Sequence, residues 1–157
     1  MRKRIIPDRL QDSHSHNHDW LNLNEIAEVE ITSEDSEHPI ESALLFKETS
    51  GWRASHPGKQ TIRLLFTEPQ SIRLVRLKFT EHQTQRTQQY QLRYSLDGGR
   101  SFQEIARQQW NFSPQGSTSE TEEHQVDLTA VTLLELVIIP EISGGDAIAS
   151  LSQLRLA

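Results

Sequence analysis

From Ala27 onward, apolar residues recur at every second position in short blocks, and Gly, Pro, Asp or Ser residues close most of them. A period of two places one row of side chains on each face of an extended strand, so this alternation constrains the fold more than any other feature. Ala27, Val29 and Ile31 alternate with Glu28, Glu30 and Thr32, and Ile62, Leu64 and Phe66 share a face opposite Arg63. Val75, Leu77 and Phe79 oppose Leu74, Arg76 and Lys78; Tyr90, Leu92 and Tyr94 oppose Gln89, Gln91 and Arg93. Ala106, Gln108, Trp110 and Phe112 keep the same step, His124, Val126 and Leu128 form a short strand, and a last one covers 151–156. Residues 133–139 are read as apolar on both faces, which predicts a central strand covered on both sides and ended by Pro140. No window sustains helical spacing for three turns, although 40–46 suits one short turn. About eight strands at this spacing predict an all-β fold, a two-sheet antiparallel sandwich.

The 157 residues suit one domain. Residues 1–24 read as a mostly irregular N-terminal arm, because their apolar residues are isolated and 12–19 are wholly polar. Trp20, Leu21 and Leu23 attach it to a domain spanning 25–157. Met1-Arg2-Lys3-Arg4 resembles the basic start of an export signal, but Ile5-Ile6-Pro7-Asp8-Arg9 does not supply the apolar stretch that should follow. The expectation is therefore a cytoplasmic protein. Nothing approaches the roughly 20 apolar residues of a membrane span. A net charge of −6, from 16 Lys+Arg against 22 Asp+Glu, argues against a dedicated duplex-DNA binder. With no Cys, thiol nucleophiles, disulfides and thiolate metal sites are excluded.

The segment from Ile31 through Asp35, Ser36, His38, Ala43 and Leu44, followed by Gly51-Trp52-Arg53-Ala54-Ser55 and Pro57-Gly58-Lys59, resembles the opening half of a discoidin, or coagulation-factor type C, domain. The Tyr94–Phe102 stretch (Ser95-Leu96-Asp97-Gly98-Gly99 at its centre) is similar to a hairpin common in these domains. The resemblance covers about 26–157 and implies a galactose-binding-like jelly roll. It extends to the amino-terminal domain of a single-strand-break repair scaffold, through the Asp-Ser-x-His turn and the Trp-Arg-Ala run. Many discoidin-like domains carry Asp-Gly after the Ala-Leu turn, where the loop helps to bind a structural calcium. Here Leu45-Phe46-Lys47-Glu48 stand instead, which speaks against calcium and leaves no cofactor expected.

The candidate ligand residues are Trp110, Asn111, Arg86, Arg53 and His56. Trp110 at a loop mouth can stack on a sugar face, and Asn111 offers both a donor and an acceptor to hydroxyls. Arg86 lies in the polar 81–87 loop, and Arg53 and His56 flank the Trp52 turn; Arg53 could instead pair with Glu48. The alternative reading of Trp110 and Phe112 is a pin between sheets, and Trp52 reads as core. Asp97, Gly98 and Gly99 read as a tight hairpin whose Phe102 plugs the core. His14, His16 and His18 would share one side of an extended segment and could take a metal, but a solvated tail is the preferred reading. No nucleophile elbow, zinc-protease pair, phosphate loop or dinucleotide fingerprint occurs, so no enzyme is expected. Two functions follow. One is a non-catalytic module gripping a carbohydrate-like or other small polar ligand with loops at one end of the sandwich. The other is an intracellular adaptor, related to DNA-break repair through the scaffold resemblance, docking a protein on a basic face of Arg76, Lys78 and Arg93.

Overall fold

The structure, a computed structural model, describes residues 19–47 and 50–157. Two antiparallel strands of 21 residues, β3 (Gln60–Thr80) and β6 (Ser119–Ile139), run through both layers of a sandwich. The alternating segments at 60–66 and 71–80 are therefore one strand, and those at 124–128 and 133–139 are another. Register shifts between Leu65 and Leu74 mark where the pair bends from one layer to the other.

The first layer has the order β1 (Ala27–Ile31), β3, β6, β4 (Arg86–Ser95), β5 (Gln103–Phe112). In the second, Val75 of β3 pairs with His124 of β6 on one side and with Leu156 of β8 (Gln153–Leu156) on the other. A two-residue bridge joins β2 (Trp52–Arg53) to β7 (Ser150–Leu151). Ile62, Leu64, Tyr90, Leu92, Leu134 and Leu136 are buried from one layer; Val75, Leu77, Phe79, Leu154 and Leu156 are buried from the other. Each such large side chain contributes about 1.5–3 kcal/mol by leaving water. The layers meet where Phe79 stacks on Tyr90, ring centroids 5.3 Å apart, and where the Tyr90 hydroxyl lies 2.8 Å from His124 Nε2. No helix among the described residues is long and apolar enough to cross a membrane.

Two expectations need correction. Residues 133–139 are central, between β3 and β4, but among the described residues no further layer covers their outer face. Glu135 is buried there because two guanidiniums close over it, Arg63 Nε at 2.7 Å and Arg93 Nε at 2.5 Å. Burial alone would raise its pKa, and the two arginines hold it below the ordinary value. Phe102 is not in the core: it is half-buried, with the Arg93 guanidinium 3.9 Å from its ring centre.

The chain path sorts the loops by end. One end holds the bends of β3 and β6 and the Asp97 hairpin. There Ser101 N–H and Oγ–H donate to Asp97 at 2.9 and 2.6 Å, and Gly98 and Gly99 take φ of 75° and 96°. The chain's last residue is also at this end, Ala157 N–H donating to Leu74 O at 3.0 Å. At the opposite end Thr80 pairs with Ser119, Arg86 with Phe112 and Gln60 with Ile138. That end collects the connections 32–59, 81–85, 113–118 and 140–149.

Candidate functional site

At the end that gathers these four connections, a cleft of about 330 Å³ opens between the β2–β7 bridge and the 81–85 loop. Backbone hydrogen bonds build its floor. Trp52 is buried and donates Nε1–H to Ser33 O at 3.0 Å, while Trp52 pairs with Leu151 and Ala54 N–H reaches Ala149 O at 2.9 Å. Arg53 is clamped from the other side: its carbonyl accepts from Asp35 N–H at 2.8 Å, and its own N–H donates to His38 O at 3.1 Å. The side chains of His38, Arg53, His82 and Gln83 and the hydroxyls of Ser50, Thr80, Ser150 and Ser152 then line the cleft. Ser152 Oγ–H donates to Thr80 Oγ1 at 2.8 Å, fixing one pair of hydroxyls.

Glu81, also in the lining, is locked in place. Oε1 accepts from Arg86 Nε at 2.8 Å, Oε2 accepts from Gln83 N–H at 3.1 Å, and Glu81 N–H donates to Thr118 O at 2.8 Å. Burial would raise this carboxyl; the hydrogen bonds from Arg86 and the loop backbone bring it below the usual value. Asp35 also lies below its usual value, first through the Glu37 N–H bond and further through His38 and Arg53. His38 Nδ1 stands 3.5 Å from Asp35 Oδ2.

The sequence-derived candidates divide. Arg53 lines the cleft. Arg86, only 2% exposed, lies beneath it as a strut, donating Nη1–H to Pro140 O at 2.9 Å and Gln88 Oε1 at 3.1 Å with its guanidinium over the Phe112 ring. Trp110 and Asn111 point to opposite faces of β5. Trp110 pairs with Gln88 on the core side and its buried Nε1–H has no partner among the described residues, whereas Asn111 accepts from the Thr87 hydroxyl on the outside. His56 is exposed outside the cleft, its Nδ1 3.5 Å from Gln60 Nε2. The basic stripe is split. Arg76 and Lys78 are on the second layer, with Arg76 bonded to Glu123 at 2.8 Å; Arg93 is on the first, bonded to Glu135. His14, His16, His18 and Glu48 lie outside the described residues. The cleft residues that sequence reasoning passed over, His38, Thr80, His82, Ser150 and Ser152, each adjoin a strand end on one side of the sandwich. Tracing the strand directions reveals that shared position.

The turn that the family resemblance links to calcium carries a different cation. Arg155 is 5% exposed and donates Nη1–H to Ala43 O at 2.8 Å and Nη2–H to Leu45 O at 3.2 Å; the Phe46 ring centre lies 5.4 Å from the guanidinium. The carbonyls that would face a metal already satisfy a fixed positive charge, so the residues of this turn do not fit calcium.

The F5/8 type C domain matches residues 28–151. A comparison with curated proteins gives no match. Among solved structures, a pectin-binding carbohydrate-binding module is similar at TM-score 0.59 and 19% identity, covering 84% of this chain and 90% of that one. The family 32 module of NanJ from C. perfringens, in complex with galactose, gives 0.61 and 15%, covering 87% and 96%. The family 32 module of AlyQ, in complex with 4,5-unsaturated mannuronic acid, gives 0.62 and 16%, covering 89% and 98%. At these identities the likeness is one of fold. With most of its sandwich inside the matched range, this chain belongs to the F5/8 type C domain family.

Proposed function

We propose that the chain is a non-catalytic carbohydrate-binding module and that the sugar sits in the loop-end cleft. The observation that carries this reading is a pre-built concavity with unspent polar groups. Its floor and walls are pinned by backbone bonds, while the Arg53 guanidinium makes no hydrogen bond or ion pair among the described residues. A site of this kind binds without first ordering itself, which lowers the entropic cost of association. The fold neighbours that hold galactose and an unsaturated mannuronic acid support the same reading. Among the described residues Glu81 is the one carboxylate in the lining, and Arg86 occupies it, so these residues offer no acid–base pair for hydrolysis. The adaptor reading, including any tie to the repair scaffold, is not favoured: its three basic residues sit on different layers and two already hold glutamates.

A saccharide array followed by calorimetry tests the proposal. At least one saccharide should bind, and Arg53→Ala should weaken it at least tenfold without altering the circular dichroism spectrum. No saccharide binding at millimolar concentration would overturn the proposal.

A further inference from the structure

Arg53 is the uncommitted charge of the cleft, because the carboxylate that shares the lining, Glu81, is already paired with Arg86. Arg53 is exposed and its guanidinium makes no hydrogen bond or close ion pair among the described residues, although its charge reaches Asp35. The carboxylate beside it, Glu81, has both oxygens committed, one to Arg86 at 2.8 Å and one to Gln83 N–H at 3.1 Å. Asp35 is not part of the lining; its Oδ1 is taken by Glu37 N–H at 3.0 Å and its Oδ2 stands 3.5 Å from His38 Nδ1. Among the described residues the remaining lining consists of two histidines, a glutamine, hydroxyl residues, Trp52 and Leu151, none of them anionic. We propose that the cleft selects an anionic sugar, a hexuronic acid unit whose carboxylate is received by Arg53 while its hydroxyls meet His38, His82 and the Thr80–Ser152 pair. This inference rests on the carbohydrate reading above and adds the substrate class.

The physical reason is the difference between filling the cleft with a neutral or a charged ring. A neutral sugar strips water from the guanidinium and gives it only neutral acceptors. A carboxylate supplies a planar, two-oxygen acceptor matched to the fork of Arg, and such charge-assisted bonds are roughly twice as strong as neutral ones. The whole chain carries −6, so its distant field repels a polyanion. Selection therefore acts at short range, inside the cleft, and persists at about 0.15 M salt, where distant charges are screened.

Calorimetry on the full chain at that ionic strength tests this with five probes: trigalacturonate, trimannuronate, the methyl ester of each, and galactotriose. At least one uronate should bind at least tenfold more tightly than its own ester. Arg53→Gln should erase that ratio at unchanged melting temperature, and Arg53→Lys should restore part of it. A sulfated galactose oligosaccharide distinguishes the anion: tighter binding than every uronate overturns the carboxylate assignment. Equal affinity for acid and ester, or galactotriose binding best with Arg53→Gln unaffected, overturns the anionic selection and leaves the carbohydrate reading intact. If neither these probes nor the array give binding, both fail.

Discussion

Glu120 shows how much one buried side chain can make stability depend on pH. It lies on the inner face of β6, opposite Phe79 and in step with Glu122 and His124, and it is 3% exposed with neither carboxyl oxygen hydrogen-bonded to a donor among the described residues. Burial, followed by the neighbouring Glu122, raises its pKa from 4.5 to about 7. The folded protein therefore retains a proton that the unfolded chain releases above 4.5. The contribution of Glu120 to stability falls as pH rises from about 4.5 to about 7 and is level beyond that. Glu120→Gln removes the penalty for ionisation. Chemical denaturation at pH 8 should show it more stable than the parent by on the order of 1–2 kcal/mol, with the advantage vanishing near pH 4.5. An unchanged pH profile would contradict this account of Glu120.

At the scale of the elements, the floor of the cleft depends on a glycine. Gly51 has φ of 75°, and a Cβ added there would lie 2.8 Å from Leu151 O, so the backbone at β2 approaches β7 more closely than a side chain permits. Gly51→Ala should cost about 1–3 kcal/mol through the left-handed backbone and the clash, seen as a lower denaturation midpoint, and should weaken sugar binding by displacing Arg53. This close approach could not be read from residue types; alternation could. The segments 27–31, 62–66, 75–79 and 90–94 are visible at period two because each turns one face to the core, whereas the two-residue β2 and β7 are too short to show a period. The bends themselves were hidden, since Glu68 and Pro69 look like an ordinary turn and the joining depends on which strands flank them. Side-chain direction at the site was partly legible. Arg86 is in step with Gln88, Tyr90 and Leu92, which already assigns it to the core face, and Trp110 and Asn111 must diverge because they are neighbours. Arg53 faces outward next to buried Trp52 for the same reason. The hydroxyls and imidazoles were not legible, because stretches far apart in sequence (His38, 50–53, 80–83 and 150–152) bring them together.

Across the whole molecule, Arg155 ties the last strand to the helical turn at Glu41–Leu44, and so joins the beginning of the domain to its end. Removing it leaves the Ala43 and Leu45 carbonyls unsatisfied beneath Phe46. Arg155→Met should cost about 2–4 kcal/mol by thermal or chemical denaturation, and neither calcium nor a chelator should shift the melting temperature of the parent chain. A rise of several degrees with calcium would show that a metal competes for this turn. The sandwich also has a direction: the carboxyl terminus is hydrogen-bonded beside Leu74, the whole height of a layer away from the cleft. Anything tethered through Ala157 therefore stands behind the module, and a surface coated by that tether displays every cleft toward the solution, whereas a label placed at His82 or Gln83 crowds the mouth.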